Sequence, residues 1–163
     1  EDLTPGCIPQ GLTPAPGNFT AEVVYDTDGA LVWDAVYLGY YHDYYEDGSP
    51  RLTEPVFATK GFSLRVSRIG MVSCCLYLLP EDEVTLSVIE GTAVAFGYRS
   101  MSYGPYDPET HEPSGYYDLF TAEFERNGIT YQIVCEQLEL EELVKVVASI
   151  LSGESEIILE PAA

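Results

Sequence analysis

The chain has 163 residues, 46% of them hydrophobic, and its 7 Lys+Arg against 27 Asp+Glu leave a net charge of −20. That is enough chain for one domain, able to bury roughly 70% of the surface it exposes when unfolded, and it is too apolar to be disordered. The charge excludes unaided binding to nucleic-acid backbones, which takes clustered cations, and disfavours docking on anionic lipid; no apolar run reaches the roughly 18–20 residues of a membrane span.

Residues 1–18 read EDLTPGCIPQGLTPAPGN, and Pro5, Pro9, Pro14 and Pro16 exclude a helix there. The chain opens on Glu1, with no basic segment followed by an apolar one at its front. Residues 1–18 are therefore expected to be an extended leader or tether, ahead of a single domain over residues 19–163. A second reading has Ile8 to Leu12 dock on the domain, with Cys7 fixing them.

Residues 19–26 alternate, with Phe19, Ala21, Val23 and Tyr25 on one face; Asp26 to Gly29 form a turn, and residues 31–38, which hold Trp33, close a β-hairpin. Residues 39–56 read as a long polar-aromatic connection with a turn at Asp47-Gly48. A strand is expected at 62–69. Residues 72–79, apolar on both faces, are expected to form a central strand that Pro80 ends. Two further strands, 84–90 and 93–100, flank Gly91. Residues 101–117, with three prolines and two glycines, read as a second long loop.

The last third is the most legible. Asn127-Gly128 separates alternating strands at 118–126 and 129–136, a strong signal for a type I′ turn. A two-residue turn fixes the register. Arg126 should oppose Ile129, Phe124 Tyr131, Ala122 Ile133 and Phe120 Cys135, all on an apolar face. Thr121, Glu123 and Glu125 should meet Val134, Gln132 and Thr130 on a wet one. From about Glu139 to Ser152, Leu140, Leu143, Val144, Val147, Ile150 and Leu151 fall on one helical stripe. Glu139, Glu141 and Glu142 suit the helix N-terminus, and Gly153 is a C-terminal stop. Residues 156–160 complete the pattern as an edge strand. The expected fold class is α+β: a mostly antiparallel sheet of eight or nine strands with one C-terminal amphipathic helix packed on it.

The segment 119–151, LFTAEFERNGITYQIVCEQLELEELVKVVASIL, resembles the close of an extracytoplasmic domain of Gram-positive bacteria, shared by membrane-anchored anti-sigma factors and lipoproteins. The residues that carry the resemblance are Asn127, Gly128, Ile129, Tyr131, Glu141, Glu142, Leu143, Ala148, Ser149 and Ile150. Upstream, Val88 to Gly91, Ala93 and Phe96-Gly97-Tyr98 are similar to the strand pair before it. The resemblance covers about 65 residues, roughly 86–151, and its motifs are turns and core positions. The tyrosine-rich stretch at 39–50 departs from the pattern, and the first 80 residues match it only loosely. It implies export, an α+β fold and no enzymatic activity.

No residue pattern demands a metal or a cofactor. Cys7, Cys74, Cys75 and Cys135 contain no CxxC, and an even count in an exported chain admits both disulfides and buried free thiols. His42 and His111 lack the neighbours of a zinc or general-base site. No nucleophile elbow or phosphate loop is present. Asp26-Thr-Asp28-Gly29 and the Tyr44–Gly48 stretch offer carboxylates for weak calcium binding, but the first lacks the remaining ligands of a twelve-residue loop, and turns are the favoured reading. Asn18-Phe19-Thr20 matches a glycosylation acceptor, which matters only in a eukaryotic secretory pathway.

The unusual feature is tyrosine, of which there are 13. Tyr37, Tyr40, Tyr41, Tyr44 and Tyr45 crowd one connection; Tyr103, Tyr106, Tyr116 and Tyr117 crowd the other. Rings on loops offer flat faces and a hydroxyl to a protein or cell-wall glycan; alternatively they pack on each other and on the sheet edge. Tyr40, Tyr41, Tyr44, Tyr45, Tyr106, Tyr116 and Tyr117 are the candidate binding residues, expected where the two connections meet. The reading is a non-enzymatic extracytoplasmic sensor or interaction domain, secreted or tethered to a bacterial surface. The rival is a secreted glycan-binding module or small hydrolase that uses the tyrosine-rich loops.

Overall fold

The structure, a computed structural model, describes residues 5–15, 20–47, 49–51, 59–68 and 83–153. Within them lie eight strands and one helix: β1 (Thr13–Pro14), β2 (Thr20–Tyr25), β3 (Leu31–Tyr41), β4 (Gly61–Ser67), β5 (Glu83–Ile89), β6 (Thr92–Tyr103), β7 (Gly115–Arg126), β8 (Ile129–Glu136) and α1 (Leu140–Ser152). The strands form one sheet in the order β1-β3-β4-β8-β7-β6-β5, with β2 also on β3, and every pair is antiparallel. With one C-terminal helix packed on the sheet, the fold is α+β.

The β7–β8 register is the expected one: Arg126 pairs with Ile129, Phe124 with Tyr131, Ala122 with Ile133 and Phe120 with Cys135. Asn127 (φ 54°) and Gly128 (φ 75°) supply the two positive φ values that the turn needs. The side chains on that face make the core. Phe62, Leu64 and Val66 of β4, Tyr131 and Ile133 of β8, Ala122 and Phe124 of β7, and Val94 and Phe96 of β6 are buried against Leu143, Val146, Val147, Ile150 and Leu151 of α1. Phe124 and Tyr131 stack with centroids 5.0 Å apart, and Tyr40 stacks on Phe62 at 4.5 Å. At the far end of α1, Arg126 donates to the Ile150 carbonyl, satisfying one of the helix's orphan acceptors, and Gly153 (φ 69°) ends the helix.

Three expectations need correction. The opposite face of the sheet is not wet at its centre: Leu119, Thr121, Gln132, Val134 and Ser67 are all buried. Neither Thr121 Oγ1 nor Gln132 Nε2 has a hydrogen-bond partner among the described residues. The two long loops are shorter than their composition suggests. β3 continues through Tyr40 and Tyr41, and β6 and β7 stay paired as far as Tyr103 and Gly115, leaving 104–114 as the connection. Tyrosine has high strand propensity, and here it outweighs the neighbouring glycines and prolines. Lastly, the described part of the leader docks, as the second reading of it expects for Ile8 to Leu12. Cys7, Pro9 and Leu12 are buried, and Thr13 and Pro14 pair with Tyr41 and Tyr40 at the sheet edge, where proline is tolerated. The strands expected at 72–79 and 156–160, the pair Cys74-Cys75 and Asn18 lie outside the described residues.

Candidate functional site

The site begins with which way β5 faces. Glu90 (φ 48°) and Gly91 (φ 76°) form a two-residue turn that locks Ile89 opposite Thr92 and so sets the β5–β6 register. Side chains alternate across a strand. In this register the residues of β5 beside Tyr98, Phe96 and Val94 are Glu83, Thr85 and Ser87, which therefore share the helix side of the sheet. The apolar set, Val84, Leu86 and Val88, is turned to the other side, 54%, 77% and 74% exposed. A strand facing the other way would close the sheet against α1 with three aliphatic side chains. This one leaves space.

That space is a cavity of about 500 Å³ between β5 and α1. Phe96, Phe120, Ile89, Leu140 and Val144 line it with apolar surface; Glu83, Thr85, Ser87 and Tyr98 add polar groups. The N-terminal turn of α1 is held in place where Glu139 N–H donates to Glu142 Oε2 at 3.1 Å. Leu140, placed by periodicity on the buried stripe, is 43% exposed at the mouth of the cavity.

The groove continues along the helix side of the β6–β7 hairpin, where the register sets Tyr98 beside Phe120, Ser100 beside Asp118 and Ser102 beside Tyr116. The Tyr98 hydroxyl donates to Asp118 Oδ1 at 2.9 Å, and this bond to the carboxylate holds the hydroxyl above the ordinary tyrosine range. Tyr106 folds back from the connection so that its hydroxyl lies 3.1 Å from Ser102 Oγ. The connection itself is ordered: Glu109 and Thr110 N–H groups donate to Asp107 Oδ1, which holds the Asp107 carboxyl below the usual range, and His111 N–H donates to the Asp107 carbonyl. Tyr106 and Tyr116 thus stand 53% and 65% exposed beside the half-exposed Tyr98. Apolar groove, three phenol rings, serine hydroxyls and two carboxylates, Glu83 and Asp118, lie along one face of the sheet.

The other candidate tyrosines have different places. Tyr40 is core. The Tyr44 hydroxyl, pushed up by burial, accepts from Tyr41 N–H at 2.7 Å and donates to the Thr13 carbonyl, clasping β1 to the end of β3. The Tyr41 ring packs edge-on to that of Tyr44. Tyr45 is exposed beneath the Arg51 guanidinium, 4.9 Å from its ring centre, and Arg51 also pairs with Asp43 at 3.4 Å. Tyr117 faces the side away from α1, where burial and the Glu136 carboxylate raise its hydroxyl. Both tyrosine clusters leave the same end of the sheet, because Tyr41, Gly61, Glu136, Leu119 and Arg99 lie level across it. Strands β4 and β8 separate them, however, and Tyr40, Tyr41 and Tyr44 are consumed by packing.

Glu83, Thr85, Ser87, Tyr98, Asp118, Phe120, Leu140 and Val144 escaped the sequence reading as site residues. The available signal was the Glu90-Gly91 turn, which fixes the face of each β5 side chain. No group of His, Cys, Asp and Glu among the described residues has the geometry of a metal centre. Cys7 and Cys135 are free thiols, both raised by burial. Among the described residues no helix is long and apolar enough to cross a membrane. No protein-family model matches the chain, and no curated protein or solved structure matches it.

Proposed function

We propose that this chain is a non-enzymatic, extracytoplasmic binding domain of a bacterial surface protein or lipoprotein, and that it binds its ligand in the groove between α1 and β5 and along the adjoining tyrosines. The observation that carries the reading is the exposed row of Tyr98, Tyr106 and Tyr116, of which Tyr98 lines an apolar cavity and the other two stand further along the same face of the hairpin. Exposed phenols beside hydroxyls and a carboxylate suit a cell-wall glycan: the rings stack on the C–H faces of sugars, while Ser100, Ser102 and Asp118 meet their hydroxyls. The carboxyl whose acidity burial weakens, Glu136, stands on the opposite face, beside Tyr117, so it does not serve this groove as a general acid. The resemblance of residues 86–151 to an exported domain supports the location.

The test is titration with soluble cell-wall oligosaccharides, followed by amide shifts and calorimetry. Shifts should gather on β6, β7 and the first turn of α1. Tyr116→Ala should weaken binding about tenfold, the loss of one stacked ring, with an unchanged melting temperature because the ring is 65% exposed. Shifts confined to other strands, or none at millimolar sugar, would overturn the reading.

A further inference from the structure

We propose that the outer edge of β5 pairs with β5 of a second copy of this chain, antiparallel and across a two-fold axis at Leu86, so that two grooves become one trough. The backbone directions point to it. Ile89 and Thr92 close a two-residue hairpin, and such a closing pair exchanges both of its hydrogen bonds. Alternation then sends the N–H and C=O groups of Ile89, Ser87, Thr85 and Glu83 toward β6. Those of Val88, Leu86 and Val84 point away from it, and no described strand takes them. The same three residues present the exposed aliphatic side chains.

Edge strands are commonly blunted by lysine, proline or a bulge. The sequence of β5, EVTLSVI, has neither residue, and its register with β6 is unbroken. The edge is instead self-complementary. An axis at Leu86 sets Leu86 against itself, Val84 against Val88, Thr85 against Ser87, and Glu83 against Ile89. Aliphatic meets aliphatic on one face, hydroxyl meets hydroxyl on the other, and within Glu83–Ile89 no carboxylate faces a second. Leu86 also has the outward-directed backbone that a central hydrogen-bonded pair requires. Moving the axis to Val84 or Val88 leaves most of the strand without a partner.

An in-plane pairing of this kind keeps both helices on one side of the joined sheet. The two cavities then adjoin over Thr85 and Ser87 of both copies, and each α1 walls one side of a common trough. That last step rests on the binding reading above; the pairing does not. The seam is small, in the class below about 1,200 Å² that gives weak, concentration-dependent association. Each copy also carries a charge of −20, so salt should promote pairing.

The experiment combines sedimentation with amide exchange on the full chain, from micromolar to millimolar concentration in half-molar salt. The mass should rise from 18.0 kDa toward twice that value. Over the same range, exchange at Val84, Leu86 and Val88 should slow about tenfold, while Thr85 and Ser87 do not change. Leu86→Lys should keep the chain monomeric with an unchanged melting temperature, since Leu86 is 77% exposed. A monomer at every concentration overturns the proposal. So does protection of the even-numbered amides already at the lowest concentration, which would mean an edge covered within one chain. A dimer that survives Leu86→Lys with β5 exchange unchanged also overturns it, as does protection acquired only from an added extended peptide. A dimer that ignores oligosaccharide would defeat the binding reading alone; a monomer that binds it would defeat the pairing alone.

Discussion

At Gly61 an added Cβ would lie 2.3 Å from Cδ1 of the Tyr41 ring and 2.9 Å from the Tyr40 carbonyl. The glycine is therefore what lets that ring lie across the strand pair, and with it the Tyr44 clasp on β1. The crowding of tyrosines is plain in the sequence; which ring points where is not, because it depends on strand partners distant in the chain. Glu136 shows the same dependence. Its position in β8 was expected, yet the face predicted to be wet is buried beside it, and burial raises its carboxyl above the ordinary glutamate value. The folded state thus holds the proton more tightly than the unfolded chain. The stability this gives is full below the unfolded pKa of about 4.3 and is lost as pH rises through the raised folded value. Glu136→Gln should therefore raise the melting temperature at neutral pH and make no difference in acid below that window. Thermal scans of both proteins across pH test this, and a variant less stable at neutral pH would show that the charge is favourably held.

Among the elements, β7–β8 and α1 were legible and β5 only half so. A two-residue turn leaves one register open, and the helix stripe has to face the sheet; both signals are local. Gly128 carries the first of them. Its φ is 75° and a Cβ there would meet nothing within 4 Å, so Gly128→Ala changes only the conformational cost. That cost is about 1–2 kcal/mol for an L residue held in the left-handed region, and urea unfolding should show a loss of that size with an unaltered m-value. A loss much smaller would mean that the turn is not what holds the register. In β5, by contrast, the alternation of Val84, Leu86 and Val88 with Thr85 and Ser87 predicts a strand but not its orientation. The usual expectation, apolar side toward the helix, fails because the Glu90-Gly91 turn sets a register with the hydroxyls inward. Strand ends at 101–103 and 115–117 depart from the loop expected there for a related reason: Met101-Ser102-Tyr103 and Gly115-Tyr116-Tyr117, among glycines and prolines, look like loop composition until the partner strand is known. The groove lies where these two non-local facts coincide, which is why the sequence pointed to the tyrosines and not to the cavity beside them.

The molecule as a whole is dominated by its charge. Of the 7 basic residues, Arg51 pairs with Asp43, Arg65 lies 5.4 Å from the centre of the Tyr37 ring, and Arg126 caps the end of α1. Opposed to them are 27 carboxylates, which repel one another more strongly in the compact state than in the expanded chain. Salt at physiological strength screens charges beyond about 8 Å, which covers most carboxylate pairs on a domain of this size. It also weakens favourable pairs, but the Asp43–Arg51 bridge is half exposed on both sides, and such pairs contribute about 0–1 kcal/mol at most. The balance therefore favours the folded state as salt increases. The melting temperature should climb steadily from low to half-molar sodium chloride, and substituting the larger, weakly hydrated caesium ion at equal ionic strength should give the same curve, since the effect is screening and not site binding. A flat response would mean that the carboxylates are spaced too widely to interact; a response that depended on the identity of the cation would point to specific sites. Association through β5 answers to the same variable. Salt that stabilises the fold also lowers the barrier between two acidic copies, so the melting transition should become concentration-dependent only in the upper part of that salt range.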